Sequence, residues 1–190
     1  MATNRYVAYW KRMAVGADKF FAPGFDLDMH VFTDRADEVG EFQESLSRAR
    51  IHVHRVPPLG WPEATLNRYE IFRDSWQQIH GDVVVHLDAD MDVVAPVLIQ
   101  SPEAWPNGIA FVRHPGFSRR GLPAGVGEYL RNPSMGVGDV RLYLRYGALG
   151  TWETSKLSAA YVPRRMRKVY VCGGTWMGVR DDLGAMIGEL

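Results

Sequence analysis

The apolar residues recur with helical spacing in some segments of the chain and with the spacing of a β-strand in others. Apolar residues three and four apart predict an amphipathic helix over residues 62–79, and a first helix is expected over 4–21. Strict alternation predicts strands at 29–33 and 51–56, with a polar surface helix at 41–49 between them. The order of elements is typical of an α/β protein.

A nearly continuous apolar run, Val-Val-Val-His-Leu at 83–87, is the pattern of a strand covered on both faces, and we expect a central parallel strand there. Further strands are expected at 108–112 and 169–172, and a helix at 180–190. The predicted fold is therefore α/β, with a Rossmann-like, mostly parallel sheet flanked by helices. Glycine and proline cluster in 115–127 and 132–138, which predicts a long loop at the rim of a site.

Composition limits the class of protein. The 190 residues are 46% hydrophobic, which is enough for one globular domain, and 22 basic residues balance 22 acidic ones, so nucleic-acid binding is not expected. Neither a signal peptide nor a membrane-spanning run is evident. The single cysteine, Cys172, suits a reducing compartment. We expect a cytoplasmic protein, with peripheral membrane attachment and homo-oligomer formation left open.

Two carboxylates, Asp88 and Asp90, follow the apolar strand directly, with Ala89 between them. Open α/β folds bind ligands at the carboxyl ends of their strands. Residues i and i+2 of an extended segment point the same way, so the pair is expected to converge on one Mn²⁺ or Mg²⁺ ion, which would hold a diphosphate. The alternative is that either aspartate only caps a turn.

Two enzyme classes place Asp-x-Asp after an apolar strand: sugar-nucleotide glycosyltransferases and phosphatases of the haloacid-dehalogenase type. The phosphatase pattern places the motif near the amino terminus, with a Gly-Thr or similar turn after it. Here an α/β half precedes Asp88, and Met91-Asp92-Val93-Val94 follows the motif. The flanking sequence therefore favours the transferase.

Several segments together resemble glycosyltransferase family 6, which includes the histo-blood-group A and B transferases and the α-1,3-galactosyltransferases. They are Tyr6-Val-Ala-Tyr-Trp, His30-Val-Phe-Thr-Asp, the run 61–91, and the runs 152–163 and 170–178. The resemblance implies a GT-A fold and retaining, Mn²⁺-assisted transfer of galactose or N-acetylgalactosamine from a UDP-sugar to a galactoside acceptor. It also implies one GT-A-like domain, with a nucleotide-sugar half at about 1–95 and an incomplete acceptor half at about 96–190.

The resemblance implies a set of donor-binding residues. Tyr6 matches a tyrosine near uracil, Asp34 lies near the nucleotide, and Arg68 matches an arginine that reaches the sugar and diphosphate. From sequence alone Tyr6 also fits a core aromatic, Asp34 a turn and Arg68 a solvated helix face. Asp88 and Asp90 match the metal and donor-sugar aspartates, with Ala89 as their spacer.

The acceptor side is implied by His114-Pro-Gly-Phe117, where His114 hydrogen-bonds a hydroxyl and Phe117 packs on a sugar face. Trp152 matches the start of an inner acceptor segment. The run Cys172-Gly173-Gly174 aligns with the position that sizes the donor pocket, and glycine at 174 leaves room for an acetamido group. Two glycines also fit a turn or a close backbone approach.

Two parts of the family pattern have no counterpart in the sequence: the first strand before Tyr6, and the Asp-Glu pair that follows the Gly-Gly segment. Retaining transfer passes through an oxocarbenium-like centre that a carboxylate stabilises. No residue is assigned that role, so the catalytic residue is unknown. A non-catalytic module that binds nucleotide sugars or glycans stays open as an alternative, with the phosphatase as a second one.

Overall fold

The computed structural model describes residues 1–114, residue 145 and residues 150–189. This part of the chain is a mixed α/β structure with a parallel two-stranded sheet and an antiparallel three-stranded sheet. The chain divides into two compact units. The first comprises Met1–Ala110 with Gly174–Leu190, and the second comprises Phe111–Gly173.

Helix α1 spans Tyr6–Phe20, within the predicted range. Its buried residues recur at helical spacing on one face because that face forms part of a core cluster. They are Val7, Trp10, Met13, Ala14 and Ala17. The helix ends at Phe20, because the backbone of the next residue, Phe21, is extended.

Strands β1 (Asp28–Thr33) and β2 (Arg50–Arg55) form the parallel sheet, in the register Asp28 opposite Arg50. The helix between them, α2, spans Ala36–Glu41 and continues as a 3₁₀ turn over Phe42–Ser45. The helix predicted at 41–49 is therefore wrong. Buried Val39 anchors the earlier helix, and residues 47–49 instead donate backbone hydrogen bonds to Asp18.

The single helix predicted over 62–79 is interrupted. Helix α3 (Glu63–Leu66) and helix α4 (Arg68–Ser75) meet at Asn67, and a 3₁₀ turn follows at Trp76–Gln78. Leu66 is 71% exposed, so the predicted apolar positions do not all belong to one buried face.

Strand β3 (Val83–Leu87) lies where the apolar run predicts it, but its pairing differs from the prediction. It pairs antiparallel with β5 (Val171–Val179), and β4 (Ile109–Arg113) lies on the other side of β5. The described strands thus do not form the mostly parallel sheet that was expected. Strand β5 is also longer than predicted, because the two glycines at 173 and 174 continue the strand instead of forming a turn.

Helix α5 (Arg180–Glu189) closes the first unit, as predicted. Its fully buried Leu183 and Ile187 belong to a second core cluster with Phe72 and Trp176. The loop predicted at 115–127 and 132–138 lies outside the described residues. In the described parts, none of the helices has the length and apolar character needed to cross a membrane.

Candidate functional site

A cavity of about 230 Å³ lies at the carboxyl end of β3, inside the first unit. Its lining brings together residues that the sequence places far apart. Tyr6 comes from α1, Arg68 begins α4, and the Asp88-Ala89-Asp90 run follows β3. Five of the predicted donor-binding residues therefore share one cavity, which we call the β3-end cavity.

Asp88 is the charged centre of this cavity. Its Oδ1 accepts hydrogen bonds from Nη1 of Arg68 at 3.3 Å and from Nε2 of His86 at 3.1 Å. Burial raises the pKa of the Asp88 carboxyl, but the His86 hydrogen bond and the charge of Arg68 outweigh it and hold that pKa below its usual value. Asp88 is therefore ionised at neutral pH.

His86 was not identified from the sequence, although residues i and i+2 of a strand share a face and His86 precedes Asp88 by two. Its ring is buried and stacks on Trp176 with 4.7 Å between centroids. Burial lowers the pKa of His86, so the imidazole is neutral at neutral pH. Its Nε2 also lies 3.2 Å from Nη1 of Arg68, and thus faces both charged groups.

Asp90 reaches the cavity by a different geometry from the predicted one. The Met91 N–H donates to the Asp88 carbonyl at 3.1 Å, so residues 88–91 form a turn and are not an extended segment. Ala89 is buried within the turn, and Asp90 is exposed. Both carboxylates line the β3-end cavity, but a turn and not the strand alternation places them there.

Gly174 lies against Asp88. The Asp88 N–H donates to the Gly174 carbonyl at 2.9 Å, which continues the β3–β5 pairing by one residue. A Cβ at position 174 would lie 2.6 Å from Oδ2 of Asp88, closer than real Cβ atoms approach. The glycine therefore makes space for the carboxylate itself.

Asp34 does not line the cavity, and it bonds instead to the backbone just before α1. Its Oδ1 accepts a hydrogen bond from the Asn4 N–H at 2.9 Å, just before α1. The neighbouring Thr3 hydroxyl donates to the Leu59 carbonyl at 2.6 Å. Two aromatic rings, Tyr6 at 37% exposure and Trp61 at 83%, line the cavity. Trp61 was missed as a site residue because its position in the sequence gives no sign of its exposure.

Two of the predicted acceptor residues meet in the second unit, around Tyr170. The His114 N–H donates to the Tyr170 carbonyl at 3.0 Å, and the Trp152 ring lies edge-on to Tyr170 at 5.2 Å between centroids. Cys172 is half-buried in β5, with Gly173 beside it. The prediction for Phe117 falls outside the described residues.

Potential metal ligands are few in the β3-end cavity. Across residues 1–114, 145 and 150–189, no group of three or more histidine, cysteine, aspartate or glutamate side chains is arranged to hold a metal ion. Asp88 and Asp90 supply two carboxylates from one turn, and a hard cation held there would need further oxygen ligands from substrate or water.

Comparison with known proteins gives no match, either to a protein-family model or to a curated protein sequence.

Proposed function

We propose that this chain is a GT-A-type glycosyltransferase domain that binds a UDP-sugar, carrying galactose or N-acetylgalactosamine, in the β3-end cavity. The sugar is transferred with retention to a galactoside-type saccharide, assisted by Mn²⁺ or Mg²⁺, in a cytoplasmic setting. One observation carries the proposal: Tyr6, Arg68, Asp88 and Asp90 line the same cavity. This convergence supports the family resemblance, which concerns the same residues.

Each lining residue has a role suited to a nucleoside diphosphate. The Arg68 guanidinium offers several donors in a fixed fork to phosphate oxygens. The exposed rings of Tyr6 and Trp61 offer apolar faces on which a nucleobase or sugar can pack. Asp88 keeps its negative charge because Arg68 and His86 stabilise it.

The carboxylates fit a hard divalent cation by their chemistry. Oδ1 of Asp88 is engaged by Arg68 and His86, while Oδ2 points toward Gly174, where a Cβ would leave it no room. Asp88 and Asp90 would hold the ion, which acts as a Lewis acid toward a departing diphosphate when bound. Arg68 adds positive charge for the same leaving group.

No catalytic carboxylate is assigned, so the binding of UDP is tested separately from turnover. The direct test is calorimetric titration of the full chain with UDP, with and without Mn²⁺. Metal-dependent binding is expected, and Asp88→Asn is expected to weaken it at least about tenfold, as for loss of one charged contact. Asp92→Asn is the matched control, because Asp92 lies outside the cavity lining and pairs with Arg12 on the surface.

Absence of UDP binding in both conditions would contradict the proposal. Turnover is tested separately, by incubating the chain with UDP-galactose or UDP-N-acetylgalactosamine and a galactoside. Binding without a glycosylated product would favour the non-catalytic binding module. Hydrolysis of an aryl phosphate that depends on Asp88 would favour the phosphatase instead.

A further inference from the structure

The two compact units carry opposite net charges. Residues 111–173, the second unit, contain 11 arginines and lysines against 3 aspartates and glutamates, which gives a formal net charge of +8. The first unit contains 11 basic and 19 acidic residues, which gives −8. The balance of charge over the whole chain therefore does not apply to the second unit, which is strongly basic. Charge asymmetry of this kind indicates a surface for a negatively charged partner.

Four of the basic residues of the second unit lie in one short segment, Arg164-Arg165-Met166-Arg167-Lys168. The segment begins with a 3₁₀ turn over its first three residues. Arg167 is half-buried and stabilises the turn, because its Nε donates to the Val162 carbonyl at 2.8 Å. The other three cations of the segment are exposed. They are Arg164, Arg165 and Lys168.

These exposed cations have few carboxylates to pair with. In the first unit, the exposed arginines Arg12, Arg50 and Arg55 each pair with an aspartate. Within the described part of the second unit, the only carboxylate side chain is that of Glu153, whose Oε1 accepts the Ser155 N–H at 2.6 Å. The cations at 164, 165 and 168 can therefore attract an external anion without first losing an internal partner.

Apolar side chains are exposed around the same turn. Met166 lies between the cations and is 62% exposed, and Val169 follows them and is also exposed. The His114 N–H donates to the Tyr170 carbonyl at 3.0 Å, so the end of β4 lies beside this segment. The exposed residues at the end of β4 are Phe111, Val112 and Arg113. We call residues 164–169 and the exposed end of β4 the basic patch.

The mixture of cations and apolar side chains in the basic patch distinguishes between anionic partners. Lipid headgroups attract arginine and lysine, and the acyl boundary just below them accepts apolar side chains. A nucleic acid also offers phosphates, but it is read by side chains that hydrogen-bond to base edges or by rings that stack on bases. Met166 and Val169 supply neither contact. The exposed apolar side chains therefore favour a membrane surface over a nucleic acid.

We propose that the basic patch docks the second unit on the surface of a membrane that contains anionic lipids. Arg164, Arg165 and Lys168 bind the lipid phosphates and carboxylates, while Met166 and Val169 enter the apolar boundary beneath the headgroups. The docking is peripheral and reversible, because a few cations with small apolar insertions give modest affinity. It does not depend on the β3-end cavity, so it is tested without UDP.

Co-sedimentation of the full chain with lipid vesicles measures this docking. Vesicles made of equal parts of phosphatidylcholine and phosphatidylserine are compared with vesicles of phosphatidylcholine alone. We expect binding to the anionic vesicles only. The affinity should fall at least about tenfold between about 0.1 M and about 1 M salt, because the added ions screen the attraction between the cations and the headgroups.

Substitutions separate the charged and apolar contributions of the basic patch. Each lysine or arginine near an anionic surface changes the affinity about fivefold, so the double variant Arg165→Gln, Lys168→Gln should bind about 25-fold more weakly. Its control, Lys19→Gln with Arg73→Gln, removes the same charge from exposed positions of the first unit and should bind as the unchanged chain does. Met166→Ser should weaken binding at least about threefold with the same salt dependence, because it removes only apolar contact.

Equal binding to the two kinds of vesicle would overturn the proposal, and so would equal losses in the double variant and its control. A loss in the double variant with none in Met166→Ser would also overturn it. The patch would then bind a polyanion in water, such as an oligonucleotide. A dimer that binds no vesicles and that the double variant abolishes would overturn it too, because the acidic first unit of a second copy would be the partner.

Discussion

Gly174 and Asp88 are in direct contact at the junction of β5 and β3. The Gly174 carbonyl accepts the Asp88 N–H, and a Cβ on Gly174 would lie 2.6 Å from the Asp88 carboxylate. From the sequence, glycine at 174 was interpreted as room for a substituent of the donor sugar. The contact gives the glycine an additional role, because it determines where a candidate metal ligand sits.

Replacing Gly174 with alanine tests this contact. The methyl group would displace the Asp88 carboxylate, so we expect metal-dependent UDP affinity to fall at least about tenfold, with similar losses for UDP-galactose and UDP-N-acetylgalactosamine. Calorimetric titration measures all three ligands. Gly188→Ala is the control, since a Cβ there meets nothing within 4 Å and Gly188 does not line the cavity. A loss confined to the N-acetylated donor would show that position 174 acts on the sugar alone.

Arg68 provides the second prediction, which concerns the diphosphate. The Arg68 side chain is 12% exposed and lies beside Asp88. The substitution Arg68→Met keeps an unbranched side chain at this position but removes the guanidinium. A hydrogen bond to a charged group contributes about 1.5–3 kcal/mol, so UDP affinity should fall about 10-fold to 150-fold. Uridine lacks the phosphates, and its affinity should change much less.

Titrating the Arg68→Met variant with UDP and with uridine separates these effects. Arg73→Met is the control, because Arg73 is on the same helix and its side chain is 49% exposed. Equal loss of uridine and UDP binding would contradict a diphosphate role for Arg68.

Arg48 provides a prediction about stability. Its guanidinium donates to five backbone carbonyls at and after the end of α1. They belong to Ala17, Asp18, Phe21, Ala22 and Phe25. Two of these carbonyls, those of Ala17 and Ala22, also accept the backbone N–H groups of Phe21 and Phe25. Arg48→Met removes these donors, and we expect a loss of about 2–4 kcal/mol in the free energy of unfolding.

Urea denaturation of the Arg48→Met variant measures that loss. The control is Arg55→Met, which breaks a pair between Arg55 and Asp37 whose side chains are 71% and 87% exposed. An exposed pair contributes little, so the control should change stability by less than about 1 kcal/mol. Similar effects of the two substitutions would refute the helix-capping role of Arg48.

The final prediction concerns pH and the histidines of the parallel sheet. The His30 ring stacks on His52 at 4.7 Å, and its Nδ1 lies 2.9 Å from Nε2 of His54. Burial, then the charges of His52 and His54, lower the pKa of His30 from 6.5 to about 4, against the raising effect of Asp28. The unfolded chain therefore binds a proton more readily than the folded protein between these two pH values.

The contribution of His30 to the free energy of unfolding should therefore be fully present above pH 6.5 and should decline as the pH falls to about 4. A shift of one pKa unit corresponds to about 1.36 kcal/mol of stability. Because His30 is only half-buried, we expect it to contribute about 2 kcal/mol, which is less than the full pKa shift would give. Urea denaturation at pH 7 and pH 4.5 measures the decline, which His30→Asn should reduce. His114→Gln is the control, because His114 is not among the groups whose charges act on His30. An unchanged decline in His30→Asn would assign it to other groups.

Local patterns in the sequence predicted several elements and part of the site. Helix α1 follows from the helical spacing of apolar residues, and strand β3 follows from a nearly continuous apolar run. Asp88 follows from its position directly after that run. Helix α4 was predicted as part of a longer helix, because apolar spacing does not reveal that Leu66 is exposed. The error near 41–49 has a similar cause, since Asp18 bonds to residues 47–49 from about thirty positions away.

By itself the sequence determined the α/β composition, the position of the Asp88-Ala89-Asp90 run and, through resemblance, five of the residues that line one cavity. Only the tertiary structure decided that β3 pairs antiparallel with β5, and that His86 and Arg68 bond to Asp88. The physical reason is that periodicity reports which face of an element is buried. Strand partners and side-chain contacts depend on residues distant in the chain, and no local pattern encodes them.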